Sequence, residues 1–128
     1  MPLVQIALRA GTAPSDQRAI ADGVHQALVE TINVPPADRF QLITEYVADH
    51  FIYDPLYLNI PRTDRLVILQ ITISFGRTVE QKRALYRRIT ELLAERPGLR
   101  PEDVFITLIE VAKENWSFGQ GIAQYAPE

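Results

Sequence analysis

The chain has 128 residues, 47% hydrophobic and 23% charged, with a formal net charge of −3 at pH 7 and no cysteine. That is the composition of one globular domain with a single core. It excludes disulfides, thiolate metal sites and cysteine nucleophiles, and it lacks the basic excess of a chain that tracks nucleic-acid phosphates.

No apolar run reaches the roughly 20 residues of a membrane helix, and Arg9 interrupts the first apolar stretch before it attains signal-peptide length. A soluble cytoplasmic protein with no membrane or nucleic-acid partner is expected. The chain opens "MPLVQIALRAGT", where "LVQIAL" reads as a strand and Gly11 ends it. Pro14 suits the first position of a helix, where a missing N–H costs nothing, and Ile20, Val24, Ala27 and Leu28 recur at helical spacing. "VPPADRF" (Val34 to Phe40) stops that helix and introduces a second strand in "RFQLITEY". The stretch from Val47 to Asp64 is aromatic and proline-rich, too irregular for a helix. It is expected to be a short hairpin or an ordered loop, able to pack across a subunit boundary.

A third strand follows in "RLVILQITI", and Gly76 ends it. Thr78 and Gln81 form a capping-box pair ahead of a helix that buries Leu85, Ile89, Leu92 and Leu93. The basic residues of "KRALYRR" are read as that helix's solvated side. "LRPEDVF" leads into a fourth strand, "VFITLIEV", and residues 112–128 form a tail.

These elements are one unit written twice. An offset of 65 residues sets Gln5 on Gln70, Ile6 on Ile71, Gly11 on Gly76, Pro36 on Pro101, Asp38 on Asp103 and Phe40 on Phe105. Each copy is β-α-β, over about 2–46 and 65–111 of a single 1–128 domain, and a helical crossover makes its two strands parallel. The expected fold is α+β, a four-stranded sheet with both helices on one face. The nearly continuous apolar run of "LVILQITI" calls for cover on both faces. Another subunit is the simplest cover for the face without helices.

Familiar catalytic motifs are missing: no phosphate-binding glycine loop, nucleophile elbow, His-Glu-x-x-His or aspartate-rich metal loop. His25 and His50 are the only histidines, and His25 reads as a partly buried helix residue rather than a ligand. No metal or cofactor is expected. What stands out is Pro2. A proline there invites removal of Met1, after which it presents a secondary amine at the start of a strand, with a protonation state set by its surroundings. The repeat places Val67 at the equivalent position, so strand-building does not require a proline.

The duplicated β-α-β unit with this proline resembles the tautomerase superfamily, whose members use an amino-terminal proline as general base or acid. It is similar in particular to the malonate semialdehyde decarboxylase-like subgroup, over essentially the whole chain. The segments that carry the likeness are "MPLV", "VPPADRFQ", "ISFGRTVEQK" followed by "LY", and "NWSFGQGIAQY". The resemblance implies a trimer without cofactor that acts on a small oxo acid. It makes Pro2 the acid–base group and Asp38 the carboxylate that hydrogen-bonds a water or the proline nitrogen. Arg77 becomes the cation for a substrate carboxylate or carbonyl, with Trp116, Phe118 and Tyr125 as walls of the pocket.

Each assignment competes with a purely structural one. Asp38 matches Asp103, so it could simply close a turn, although only the first copy continues with Arg39 and Gln41. Arg39 is either a surface residue or a second substrate cation. Arg77 falls on Thr12 in the other copy, which favours function over fold. Trp116 and Phe118 could be no more than a tail anchor. One departure matters: the decarboxylase pattern has two arginines flanking one residue, and here Phe75 stands in place of the first. The pocket is thereby more apolar, which favours a less charged substrate such as an aryl 2-oxo acid. The expectation is keto-enol tautomerase activity, with a decarboxylase or hydratase and a non-catalytic trimeric binding protein as alternatives.

Overall fold

The computed structural model describes all 128 residues. Strand β1 (Leu3–Arg9) leads to helix α1 (Pro14–Ile32) and strand β2 (Phe40–Tyr46); β3 (Val67–Ser74), α2 (Val79–Glu95) and β4 (Val104–Val111) repeat the order. The sheet runs β2-β1-β3-β4. Each β-α-β unit contributes a parallel pair, and the units join through antiparallel β1 and β3. In that central pair Gln5 lies opposite Gln70, with Leu3 on Thr72 and Ala7 on Ile68. An axis of near-twofold symmetry therefore passes between the two glutamines.

Alternation sorts each strand into two faces. Val4, Ile6 and Leu8 of β1 and Leu69, Ile71 and Ile73 of β3 are buried beneath the helices. They meet Ile20, Val24, Ala27 and Leu28 of α1 and Leu85, Ile89, Leu92 and Leu93 of α2 in one cluster, as the helical spacing predicts. Pro14 opens α1, and Thr78 and Gln81 form a complete capping box at α2. The opposite face has no helix, and it exposes Phe40, Leu42, Phe105 and Ile109.

Residues 47–64 contain no strand, so of the two forms expected there the ordered loop is the one found. They hold two 3-10 turns, at Ala48–His50 and Tyr57–Asn59. The first is the repeat partner of a 3-10 turn at Lys113–Asn115 in the tail. Matching backbone bonds close both, His50 N to Val47 O at 2.9 Å and Asn115 N to Ala112 O at 3.0 Å. An aromatic pair follows each turn at the same spacing, Phe51 with Tyr53 and Trp116 with Phe118. Linker and tail are thus the third part of each copy, beyond the repeat bounds expected from the sequence.

Candidate active site

The start of β1 lies between two neighbours, since Leu3 pairs with Phe40 on one side and with Thr72 on the other. Continuing both registers by two residues brings the turn carrying Asp38 to one side of Met1 and Ser74 to the other. Pro2, between Met1 and Leu3, is buried. The terminal ammonium of Met1 is held below its ordinary pKa, first by burial and then by the Arg77 guanidinium, while Asp38 pulls the other way.

Arg77 follows Gly76, whose φ of 131° lies in a region that favours glycine. Its Nη1 donates to the carbonyl oxygen of Ser74 at 3.1 Å, and the capping box begins at the next residue. The guanidinium is therefore held between a strand end and a capped helix start. From the tail, the indole Nε1–H of Trp116 donates to Ser74 Oγ at 3.0 Å. Trp116 stacks on Phe118 at 5.3 Å between ring centroids, and Phe118 meets Tyr125 edge-on at 4.8 Å. Gln124 closes this tail by accepting from the backbone N–H of Phe118 and donating to the carbonyl of Gly119.

Two clefts adjoin the chain start. One, of about 430 Å³, is lined by Met1, Ser74, Phe75, Arg77, Lys113 and Tyr125, with Gly76. The other, of about 200 Å³, is lined by Met1, Pro2, Leu3, Phe40, Trp116 and Phe118, with Ser117. Met1 belongs to both.

The turn that delivers Asp38 is tied to α1. Asp38 N donates to the Pro35 carbonyl at 2.9 Å, and the His25 ring bonds the Pro36 carbonyl through Nε2 at 2.8 Å. A carbonyl only accepts, so Nε2 carries the proton. Arg39 points to the same helix. Its Nη2 lies 2.6 Å from Asp22 Oδ1 and its Nε donates to Gln41 Oε1, while Gln41 bonds the Ala21 carbonyl. The Asp22 carboxyl is held below its usual range chiefly by the Arg39 hydrogen bond. Arg39 lines neither cleft, and Asp38 lines neither although its charge acts on the chain start. Pro2, Arg77, Phe75, Trp116, Phe118 and Tyr125 all border the two clefts or the aromatic cluster between them. Ser74 and Lys113 were not singled out from the sequence. Their repeat partners are Arg9 and Ala48, so the divergence between copies that marked Arg77 marks them too.

The other end of the central strands is arranged differently. There Leu66 and Val67 stand where the first copy has Met1 and Pro2, and the chain continues backwards into Thr63. Asp103, the partner of Asp38, is buried and accepts from Thr63 N at 2.7 Å and from Thr63 Oγ1 at 2.6 Å. Arg9 is paired with Asp64 at 3.0 Å, and Tyr53 donates to the same carboxylate. A cleft of about 420 Å³ lies at this end as well, lined by Arg9, Gly11, Thr12, Asp64 and Leu66 among others, but Arg9 is already bound to Asp64 there.

A duplicated β-α-β sheet with an open site at its amino-terminal residue defines a class of proteins, and comparison with known proteins assigns the chain within it. Two family models, each described as a tautomerase enzyme, match residues 38–119 and 2–60. The probable tautomerase YusQ of Bacillus subtilis (strain 168) is 46% identical over 124 residues, covering 97% of this chain and 98% of that protein. The crystal structure of FG41 malonate semialdehyde decarboxylase inhibited by 3-bromopropiolate is 41% identical, with a TM-score of 0.89 over 96% of this chain and 93% of that one. A fused 4-OT solved as a symmetric trimer shares the fold at 23% identity, with a TM-score of 0.79 over 98% and 99% of the two chains. The chain belongs to the tautomerase family of enzymes. No helix is long and apolar enough to cross a membrane.

Proposed function

We propose that, with Met1 removed, the secondary amine of Pro2 moves a proton between carbon and oxygen of a 2-oxo carboxylic acid. The neutral amine takes the proton from the carbon next to the carbonyl, the C–H electron pair forms the enolate, and the oxygen takes a proton. No co-reactant is needed, because one proton leaves carbon and one reaches oxygen. Arg77 binds the carboxylate or the developing enolate oxygen in this reading, and Asp38 orders the amine or a water beside it. Phe75, Trp116, Phe118 and Tyr125 shape the apolar part of the pocket.

The observation that carries this reading is the seat of the chain start: Met1 lines two clefts, one holding Arg77 and the other Pro2, and the charges of Arg77 and Asp38 both reach its amine. In this reading the loss of Met1 leaves the proline nitrogen at the start of β1, beside the two clefts that Met1 lines. Intact mass should show the loss of Met1, and ketonisation of phenylenolpyruvate should vanish in Pro2→Ala. Unchanged turnover in that variant would sink the proposal.

The 41% identity to a malonate semialdehyde decarboxylase favours a second reaction, decarboxylation of a 3-oxo acid at the same residues. Phe75, 61% exposed at the cleft, makes the site less cationic and favours the aryl 2-oxo acid. Assaying both substrates side by side separates the two. Retained fold and ligand binding without turnover of either would leave the non-catalytic alternative. We further propose a homotrimer as the working form, since the bare sheet face and the exposed Ile52, Leu56, Tyr57 and Leu58 of the linker present apolar surface that a partner copy would cover.

A further inference from the structure

Ser74 is one of only two buried polar residues, and it meets both halves of the site. Its carbonyl accepts from Arg77 Nη1 at 3.1 Å, and its hydroxyl oxygen accepts from Trp116 Nε1 at 3.0 Å. An indole N–H can only donate, so this bond occupies a lone pair of Oγ and leaves the hydroxyl hydrogen free. That hydrogen has no acceptor within the protein. Accepting one hydrogen bond also polarises the hydroxyl and strengthens it as a donor. Ser74 lines the same cleft as Arg77 and Met1.

We infer that Ser74 is a specificity-determining residue whose hydroxyl donates to one oxygen of the substrate carboxylate while Arg77 holds the other. This rests on the 2-oxo acid reading above. A carboxylate offers about four acceptor sites, and Arg77 has already committed one N–H to the Ser74 carbonyl. A second donor fixed to the same residue completes the grip and makes its geometry depend on the tail. The bond to Trp116 ties that donor to the aromatic wall, so the indole reports on the site. Trp116 is the only tryptophan in the chain.

The test compares wild type with Ser74→Ala and Ser74→Thr, using phenylpyruvate and its methyl ester. Turnover and quenching of Trp116 fluorescence are both read, with thermal denaturation to check folding. Ser74→Ala should raise KM and Kd for the acid by roughly tenfold or more, as expected for a lost hydrogen bond to a charged group. The ester, whose carbonyl is a neutral acceptor, should lose distinctly less, about two- to fivefold, and Ser74→Thr, which keeps the donor, should recover most of the loss. Equal losses for acid and ester would reduce Ser74 to a structural role and overturn the proposal, as would binding unchanged in Ser74→Ala or no binding by either protein. Pro2→Ala separates this from the catalytic reading. If that variant keeps turnover, the proline mechanism fails, while the acid-selective loss in Ser74→Ala still decides the role of the serine.

Discussion

Gln5 and Gln70 face each other across the central strands, and they are the same residue of two successive copies. The ends of β1 and β3 are therefore equivalent in backbone but opposite in circumstance. At one end lie Met1 and Pro2, beside the clefts that hold Arg77 and Trp116. At the other the chain passes through, and Thr63, Asp64 and Tyr53 occupy or satisfy the polar groups. The proposed active site belongs to the first end, since the cleft at the second has Arg9 paired with Asp64.

The two equivalent aspartates should respond to substitution in opposite ways. Asp103→Ala removes a buried carboxylate that accepts two short hydrogen bonds and should cost about 2–4 kcal/mol of stability. Asp38→Ala makes no comparable gap and should leave the denaturation midpoint nearly unchanged while lowering kcat at least tenfold, on the usual scale of acid–base groups. Urea denaturation and steady-state kinetics on both variants check this.

The two candidate arginines divide in the same manner. Arg77→Ala should reduce kcat/KM by about a hundredfold, because of the two cations at the cleft, Arg77 and Lys113, it removes the one whose charge acts on the chain start. Arg39→Ala breaks an ion pair with Asp22 on α1, and a partly exposed pair contributes at most about 1 kcal/mol. Its kinetic effect should be smaller. The reverse order would relocate the substrate carboxylate.

The pH dependence follows from the signs acting at the chain start. Burial and Arg77 lower the pKa of the terminal amine, and Asp38 raises it. If Pro2 inherits that setting, kcat/KM should rise with pH through a pKa below the ordinary amino-terminal value of about 8, since the neutral amine is the base. Asp38→Asn removes a charge that favours the ammonium, so the rising limb should move to lower pH. Arg77→Gln removes a charge that disfavours it, so the limb should move to higher pH. Residual activity is followed over a pH series in each variant.

On the bare sheet face, Phe105 is 41% exposed and points away from the helices. Phe105→Glu should dissociate the proposed trimer while leaving the monomer's core intact, because a carboxylate there is stable only in water. Light scattering after gel filtration reads the mass, and circular dichroism reads the fold. A trimer that persists would show that another surface holds the subunits together.

The local elements were legible in the sequence because their causes are local. The Thr78–Gln81 cap is a local hydrogen-bonding effect, while alternation in "LVQIAL" and the helical spacing of Leu85, Ile89, Leu92 and Leu93 record in a short window which face each element buries. The repeat carried the architecture, since equal sequences bury equal faces, and the isolated Pro2 pointed to the chain start. Only the tertiary structure decided how Arg39 and Ser74 are used. Arg39 sits 17 residues from Asp22 and Ser74 sits 42 from Trp116, and no pattern along the chain encodes which charge or hydroxyl such a group will meet. Linker and tail likewise read as different segments because their side chains have diverged. Their shared 3-10 turn and aromatic pair are backbone and packing features, which become visible once both have folded against the same sheet.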